Sequence, residues 1–307
     1  MITNIPYHGH EEWLSIRRQY IGGSDAGAVV GLDDYCSPYS LWAQKTGKIP
    51  EFSGNITTRV GAYLEKLVAD MFTEKTGKKV HKHNFTVVND VYPWACANVD
   101  RLIIGEKSLL EIKTTNSLPT MKQCKNGEFP ARWYCQVTHY MAVTGLEKAY
   151  IAVLLKCNDF MMFEIDRDES EIDALMSAEK AFWKCVQTDT PPVIDGMEAT
   201  TESIRAIFPE SNGNDINLLG YDPYIHQYIS ISSKIKELES LRNEAANSIK
   251  TFMRETETGY TDKYNVYWKS CNRLTFDWKK FAEDHKDMDL SPYYKTSTTR
   301  PFKVIEK

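Results

Sequence analysis

The sequence lacks the features that would place the protein in a membrane or outside the cell. No run approaches the roughly 18 consecutive apolar residues that a membrane-spanning helix needs. The longest apolar stretch, AYIAVLL at residues 149–155, has the length of a buried strand. The first residues, MITNIPYHGHEEW, contain neither the basic nor the apolar segment of a secretory signal peptide. We therefore expect a cytoplasmic protein.

Cysteine is present but forms no recognisable pattern. The seven cysteines, at positions 36, 96, 124, 135, 157, 185 and 271, include no CxxC pair and no spacing typical of a zinc site. Their odd number predicts free, mostly buried thiols in a reducing compartment. An iron–sulfur cluster needs four suitably spaced thiolates, and the sequence does not provide them.

An excess of positive charge is also missing. The net charge is −5, and one segment, EIDRDESEID at residues 164–173, carries six acids and one arginine, so the remainder is balanced. This excludes a protein coated in positive potential. If such a chain binds DNA, its basic groups must be concentrated in a channel.

What the sequence does contain is typical of a globular α/β protein, with 42% hydrophobic and 26% charged residues in a chain of 307. Hydrophobic periodicity predicts helices at residues 57–76, 130–144 and 168–188, and strands at 83–90, 95–105, 108–115, 148–156 and 160–166. This order predicts an α/β (α+β) domain with a central mixed β-sheet flanked by helices. The Pro-Pro pair at 191–192 and the polar stretch at 211–215 place its end near residue 212.

Residues 213–307 form a predicted C-terminal extension. Asp222-Pro223 is typical of the start of a long helix, a small helix begins at Asp277, and YNVYWKS (264–270) and RPFKVIE (300–306) are predicted as short strands. The long helix carries an apolar stripe of near-heptad spacing: Ile231, Ile235, Leu238, Leu241, Ala245, Ile249 and Phe252. We expect this stripe to pack on the main domain, another subunit or a partner protein.

Two neighbouring strands bring candidate catalytic groups together. In the strand at 108–115, Glu111 and Lys113 point to one face while Ile112 points to the core. Asp100 is placed on the preceding strand, on the face of Asn98, and a turn at Gly105 would bring the strands side by side. Carboxylates and a backbone carbonyl suit Mg²⁺, and a lysine can stabilise charge developing on phosphorus. The alternative is a surface salt bridge.

Glu65 extends this pattern. It borders the apolar face of the 57–76 helix, where Gly61 and Ala62 leave room for a close approach. A carboxylate in that position is poorly solvated unless it meets a cation. The alternative is an exposed acid paired with Lys66 or Lys75.

Polar residues on a further helix are candidates for DNA contact. Arg132, Gln136 and Tyr140 share a face of the 130–144 helix and are placed to touch a phosphate backbone or position a water, unless they are only a polar helix face. Ser24, after a Gly-Gly pair, is expected to cap a short helix.

The series WLSIRRQYIGGSDAGAVVG, RVGAYLEKLVADMF, ANVDRLI, LLEIKTT and WYCQVTHYMAVTG resembles the YqaJ-like viral recombinase family, the phage-type exonuclease group that includes phage lambda exonuclease. The five motifs cover roughly residues 10–165. The resemblance implies a PD-(D/E)xK nuclease fold and a Mg²⁺-dependent exonuclease that digests one strand of duplex DNA from 5′ to 3′. It also implies two Mg²⁺ ions per site, which Mn²⁺ would replace, and a ring-shaped trimer. The setting would be phage or prophage recombination in a bacterial host, with a single-strand annealing protein as partner.

The resemblance also assigns residues to roles. Catalysis falls to Glu65, Asp100, Glu111, Lys113 and Gln136, and the metal ligands are Asp100, Glu111, Glu65 and the carbonyl of Ile112. Arg17 and Ser24 match the pair that holds the 5′-phosphate, because the N–H groups of a helix start favour an anion and an arginine can pair with it; Arg18 is a competing candidate. The alternatives are an ordinary helix cap at Ser24 and a surface charge at Arg17. Two other functions remain open: a structure- or site-specific endonuclease of the same fold, and an inactive protein that binds DNA ends.

Overall fold

The computed structural model describes residues 1–51 and 54–305. The chain divides into two compact units, Met1–Phe208 and Pro209–Lys307, a few residues before the boundary expected at 212. The strands of the first unit are β1 (Ile2–Pro6), β2 (Ile21–Gly22), β3 (Val80–Lys82), β4 (Phe85–Asn89), β5 (Tyr92–Ala97), β6 (Arg101–Ile103), β7 (Ser108–Thr115), β8 (Lys148–Leu155) and β9 (Asp159–Asp166). Its helices are α1 (His10–Arg17), α2 (Gly23–Val29), α3 (Pro38–Lys45), α4 (Ile56–Thr76), α5 (Leu118–Lys125), α6 (Ala131–Thr144), α7 (Glu169–Gln187) and α8 (Glu198–Ile207).

The strands form two mixed sheets flanked by helices, where the sequence predicted a single central sheet. One sheet has the order β3-β6-β7-β8-β9 and the other β1-β4-β5-β2. In the first, β7 and β8 run parallel and the remaining pairs are antiparallel. Strand β8 is buried along nearly its whole length, as expected for a strand covered on both faces. It supports the neighbouring strand β7, which carries candidate site residues.

One predicted strand, residues 95–105, is wrong in its extent. It is divided into β5 and β6, which belong to different sheets. At the break, the amide of Asn98 donates to the hydroxyl of Thr86 (2.9 Å) and weakly to the carbonyl of Phe85 (3.4 Å). These side-chain bonds replace regular strand pairing, so the chain crosses between the sheets. Asp100 therefore lies just before β6 and shares no strand face with Asn98.

Most predicted helix ends are where local chemistry places them. Asn55 caps α4 by accepting from the N–H of Thr58 (3.0 Å), and α4 and α6 each end at a glycine in the left-handed conformation, Gly77 and Gly145. The expected cap at Ser24 is wrong. Helix α2 begins at Gly23 and its cap is Gly22, whose N–H is held by Asp25 (3.0 Å), so Ser24 is already helical.

Helices α2 and α6 pack unusually closely because glycines of α2 face α6. A Cβ at Gly23 would lie 2.3 Å from the ring of Tyr140, and one at Gly27 would lie 2.8 Å from Cβ of Arg132. Side chains at these positions are therefore excluded by contact and not by backbone conformation. The packing brings the start of α2 next to the α6 residues expected at the site.

A buried ion pair joins α6 to α7. Nδ1 of His139 lies 2.7 Å from Oε1 of Glu179, and its Nε2 lies 2.8 Å from the carbonyl of Cys96 on β5. Both side chains are fully buried. Burial lowers the pKa of His139, but Glu179 outweighs it, so the net shift is upward. The pair fixes α6 between α7 and the second sheet.

The second unit contains α9 (Asp222–Met253), β10 (Thr258–Tyr260), β11 (Asn265–Tyr267), α10 (Trp278–Asp284) and a short 3₁₀ helix, Ser291–Tyr293. Asp277 caps α10 by accepting from the N–H of Lys280 (3.0 Å). Asp222 is the first helical residue of α9 and not its cap. The predicted strand at 300–306 is wrong for residues 300–305, which form no strand, and Glu306 lies outside the described residues.

The structure bears on two expectations from composition. All seven cysteines are free thiols, as expected, but they are not mostly buried: three are buried, at 96, 124 and 135, two are half-buried, at 36 and 185, and two are exposed, at 157 and 271. Among the described residues, no helix combines the length and apolar character needed to cross a membrane.

We predict that Gly23→Ala lowers the free energy of unfolding by about 1–3 kcal/mol, because the added methyl group would overlap the Tyr140 ring. Gly196→Ala is the matched control, since a Cβ there meets no atom within 4 Å. Urea unfolding of both variants measures the difference. Equal stability of the two variants would show that the α2–α6 contact can relax without cost.

Candidate active site

A polar pocket lies between α4 and the first sheet. Its lining residues are Gly61, Ala62, Glu65, Asp100, Glu111, Ile112 and Thr114. Three of the acids expected from the sequence therefore line one cavity, together with the residue whose carbonyl was expected as a ligand. Because Gly61 and Ala62 are small, α4 leaves an open space beside these carboxylates.

Glu111 is the most buried acid of this pocket, with 3% of its surface exposed. Its Oε1 accepts from Nζ of Lys113 and from Nε2 of Gln136, both at 2.7 Å. The same lysine also donates to Oε1 of Gln136 at 2.7 Å. Alternation along β7 places Glu111 and Lys113 on one face, as predicted, and α6 supplies the glutamine. The three side chains form a closed ring of hydrogen bonds.

Tyr140 continues this network one turn further along α6. Nε2 of Gln136 lies 2.9 Å from the hydroxyl of Tyr140, and both residues are buried. Burial, with the charges of Glu111 and Asp100, raises the pKa of the Tyr140 hydroxyl well above its usual value. It is therefore a neutral phenol, and its oxygen accepts the hydrogen bond from Nε2 of Gln136.

Asp100 is held beside Glu111 by the backbone of β7. Its Oδ2 accepts from the N–H of Ile112 at 2.8 Å. Burial and the Glu111 carboxylate raise the pKa of Asp100 well above its usual value, against the opposing effects of Lys113 and this hydrogen bond. Two carboxylates sharing a poorly solvated space repel each other, so the site favours a proton or a cation.

Glu65 lines the pocket but its carboxylate is paired with Arg101, a residue that the sequence analysis missed. Nη1 of Arg101 contacts Oε1 of Glu65 and also donates to the carbonyl of Asp100 at 2.6 Å. The more distant Lys82 lies 4.0 Å from the same carboxylate oxygen. In the sequence, the available signal was the position of this arginine directly after Asp100, on a predicted strand. Arg101 links α4 to β6 next to the pocket.

The donor set fits a hard divalent cation. Oε2 of Glu111 is buried and has no hydrogen-bond partner, although a buried carboxylate oxygen is costly to leave unpaired. Within residues 1–51 and 54–305, however, no three His, Cys, Asp or Glu side chains are grouped closely enough for a metal site. Asp100 and Glu111 face the cavity together, whereas Glu65 is directed to Arg101. A cation here would find two carboxylates in place and a third held close by.

The segment expected to bind a 5′-phosphate forms a second polar cluster. Nη2 of Arg17 contacts the hydroxyl of Ser24 and lies 2.9 Å from Oδ1 of Asp25. Nζ of Lys45 lies 2.8 Å from the other oxygen of Asp25. Burial alone would raise the pKa of Asp25, but Lys45 and Arg17 outweigh it and lower the pKa. Arg17 and Ser24 are thus brought together as predicted, and the sequence analysis missed that Asp25 and Lys45 hold Arg17 in place.

The other basic candidates lie apart from these clusters. Arg18 is mostly exposed and pairs with Glu51 at 3.0 Å. Arg132 pairs with Asp34 at 2.8 Å and stacks over the ring of Tyr35, at 5.1 Å from its centroid. Arg132 therefore does not join Gln136 and Tyr140, although all three were expected to act from one face of α6.

Comparison with known proteins places the chain among viral recombination proteins. The chain belongs to the YqaJ-like viral recombinase family, whose domain model matches residues 12–147. The uncharacterized protein YqaJ of Bacillus subtilis (strain 168) is 37% identical to it over 284 residues, which are 91% of this chain and 89% of that protein.

One solved structure shows the same fold over the part of the chain that it matches. The crystal structure of LHK-Exo in complex with dAMP has a TM-score of 0.51 and 21% identity, and the match covers 59% of this chain and 94% of that one. The structure described as an alkaline exonuclease (LHK-Exo) from Laribacter hongkongensis gives a TM-score of 0.49 and 19% identity, with the same coverage.

We predict that Asp100→Asn raises the free energy of unfolding by about 1 kcal/mol in EDTA at pH 8. Because the pKa of Asp100 is raised in the folded protein, its carboxyl group costs stability at any pH above its usual pKa, whereas asparagine keeps the acceptor for the Ile112 N–H and cannot ionise. Asp70→Asn, on the exposed face of α4, is the control and should change stability by less than about 0.5 kcal/mol. A less stable Asp100→Asn protein would contradict the repulsion described above.

Proposed function

We propose that the protein is a Mg²⁺-dependent exonuclease that digests one strand of duplex DNA from its 5′ end. The observation that carries this proposal is the unpaired, buried Oε2 of Glu111, in a pocket that also exposes Asp100 and Glu65 and has Lys113 beside it. Membership of a viral recombinase family supports it, as does the fold shared with a protein described as an alkaline exonuclease.

Each residue of the pocket has a role in this proposal. Asp100, Glu111, the carbonyl of Ile112 and Glu65 would hold two Mg²⁺ ions, for which Mn²⁺ can substitute. Bound magnesium supplies a Lewis acid that polarises a phosphate oxygen and activates water. Lys113 stabilises the negative charge that develops on the scissile phosphate.

Two residues outside the ligand set keep the site in order. Gln136 donates to Glu111 and accepts from Lys113, so it fixes both side chains at once. Arg101 neutralises Glu65 while no cation is bound and keeps it at the side of the pocket. The proposal requires Glu65 to turn from Arg101 towards the metal.

The cluster around Arg17 would hold the 5′-phosphate of the strand being digested. The exposed hydroxyl of Ser24 offers a donor, and the guanidinium group of Arg17 offers a planar fork for phosphate oxygens. Asp25 and Lys45 orient Arg17 from the buried side. Anchoring the end would place the next phosphodiester bond over Asp100 and Glu111, and misplacement of about 1 Å can cost ~100-fold in rate.

The proposed biological setting follows from the family. Resection of duplex ends would leave 3′ single strands for an annealing protein during phage or prophage recombination in the bacterial cytoplasm. A ring-shaped trimer around the duplex would allow a protein of net charge −5 to stay on DNA with few phosphate contacts. Arg132, at the start of α6, is a candidate for one of these contacts.

We predict that Asp100→Ala and Glu111→Ala abolish Mg²⁺-dependent digestion of linear duplex DNA, because each removes a metal ligand. Lys113→Ala should lose activity but still bind Mn²⁺, because the lysine stabilises charge and does not ligate. Digestion of end-labelled duplex and calorimetric titration with Mn²⁺ measure the two properties separately. Glu65→Ala should also lose activity, because Glu65 is a proposed ligand. Its control is Glu74→Ala, at an exposed acid on the same helix, which should be fully active.

Covalently closed circular DNA tests the type of nuclease. An exonuclease leaves it intact under conditions that degrade the linear form, whereas cleavage of the circle would identify an endonuclease of the same fold. Wild-type protein that binds duplex ends but degrades neither form with Mg²⁺ or Mn²⁺ would contradict the proposed activity altogether.

We predict that 5′-phosphorylated duplex is digested faster than duplex with a 5′-hydroxyl, and that Arg17→Lys or Ser24→Ala removes most of the difference. Lysine keeps a charge beside Asp25 but loses the fork, so the fold is preserved while the anchor is weakened. Residual cleavage should still depend on Mg²⁺, because the anchor affects positioning and not chemistry. The measurement is the initial rate on both substrates.

Arg18→Lys makes the same chemical change one position along the chain, at an exposed arginine that pairs with Glu51. It should keep the full preference for a 5′-phosphate. If Arg18→Lys loses the preference and Arg17→Lys keeps it, the anchor is Arg18. A wild-type protein without any preference would refute the role of both.

A further inference from the structure

Helix α9 of the second unit presents a long apolar face to solvent. The helix has 32 residues, which corresponds to a length of about 48 Å at 1.5 Å per residue. Large side chains along one face are exposed, from 47% at Ile231 to 65% at Leu238 and 90% at Phe252. An exposed stripe of this length is a surface for association.

From Ile231 to Phe252 the stripe follows the seven-residue repeat of a coiled coil, except that Arg242 takes the a position next to Leu241, which falls at a g position. Positions a and d of the repeat are occupied by Tyr224, Tyr228, Ile231, Ile235, Leu238, Arg242, Ala245, Ile249 and Phe252. Tyr228 already packs edge-on against Phe302 of the same chain, with ring centroids 5.3 Å apart, so the proposed seam begins at Ile231. Only Arg242 is polar, and its Nη2 lies 3.9 Å from Oε1 of Glu239 on the same helix. A single polar residue at an a position fixes register in coiled coils at some cost in stability. The period therefore predicts a helix as the occupant.

The charges that flank the stripe indicate which helix binds to it. Lys234 occupies a g position and Glu239 the e position five residues later. In a parallel coiled coil, the g residue of one helix meets the following e residue of its neighbour. In a parallel, in-register pair of identical α9 helices, Lys234 of each copy therefore meets Glu239 of the other. The remaining e and g positions carry no charge, so no like charges oppose this arrangement.

We propose that α9 binds the α9 helix of a second copy of this chain, in parallel and in register, as a coiled coil. The apolar a and d residues supply the seam, Arg242 fixes the register, and the reciprocal Lys234–Glu239 pairs select an identical helix over an unrelated one. The interface lies wholly within the second unit and does not depend on nuclease activity.

Complementary charge reversals test this association in the full chain. Lys234→Glu places acid against acid across the interface and Glu239→Lys places base against base, so each variant alone should self-associate about ten-fold more weakly. An equimolar mixture of the two variants pairs acid with base on both sides and should recover the wild-type affinity. Sedimentation over a range of concentrations measures the association.

A capture experiment separates this interface from any contact made by the first unit. Tagged Lys234→Glu protein should retain untagged Glu239→Lys protein, but little untagged Lys234→Glu protein. Lys236→Glu makes the same charge change at an outward b position and should leave self-association unchanged. Ile235→Asp places charges in the seam and should abolish retention through α9, so whatever it still captures measures contacts made by the first unit.

Three results would overturn the proposal. The first is capture in all combinations that is equal to the capture of Ile235→Asp protein, which would show that the copies are held together only elsewhere. The second is a wild-type chain that remains monomeric at high concentration. The third is a pair of charge-reversed variants that are weakened alone and are not restored by mixing, which would indicate an antiparallel arrangement or a different partner helix.

Discussion

The buried carboxylate of Glu111 is the constraint around which the first unit is arranged. A charge that is 3% exposed must be compensated, and Lys113 and Gln136 do so from two different elements. Compensation from α6 requires that helix to lie over the end of β7. Because Gly23 packs against the ring of Tyr140, the position of α6 also sets the position of α2. Helix α2 in turn carries Asp25, which holds Arg17. One carboxylate thus connects two polar clusters through a continuous set of contacts.

Much of this arrangement was predictable because it follows from local patterns. Alternation along a strand put Glu111 and Lys113 on one face, helical spacing placed Gln136 and Tyr140 one turn apart, and left-handed glycines ended α4 and α6. The resemblance to a known family, carried by short motifs, supplied the pairing of Arg17 with Ser24. Each of these inferences needs only a few neighbouring residues, which is why the sequence was sufficient.

The errors arose where distant contacts override local preference. The strand predicted at 95–105 is interrupted because the Asn98 side chain bonds to β4, which periodicity does not reveal. Arg101 was missed because its partner, Glu65, lies 36 positions away along the chain. The buried pair of His139 and Glu179 was missed for the same reason. Arg132 shares a helix face with Gln136 by spacing, but Asp34 draws it away, so shared spacing did not produce a shared site.

The hydrogen bond from the Ile112 N–H to Asp100 has a consequence for how the pocket is built. The Ile112 N–H that holds Asp100 belongs to the peptide unit directly after Glu111 on β7. The distance between the two carboxylates is therefore set by the strands, and the two acids move together. Glu65 belongs to the part of α4 that precedes its buried residues, Val68, Ala69 and Phe72. Its distance from the other two acids depends on how firmly that end of the helix is docked. The sheet thus sets the distance between Asp100 and Glu111, whereas the docking of α4 determines whether Glu65 joins them as a third ligand.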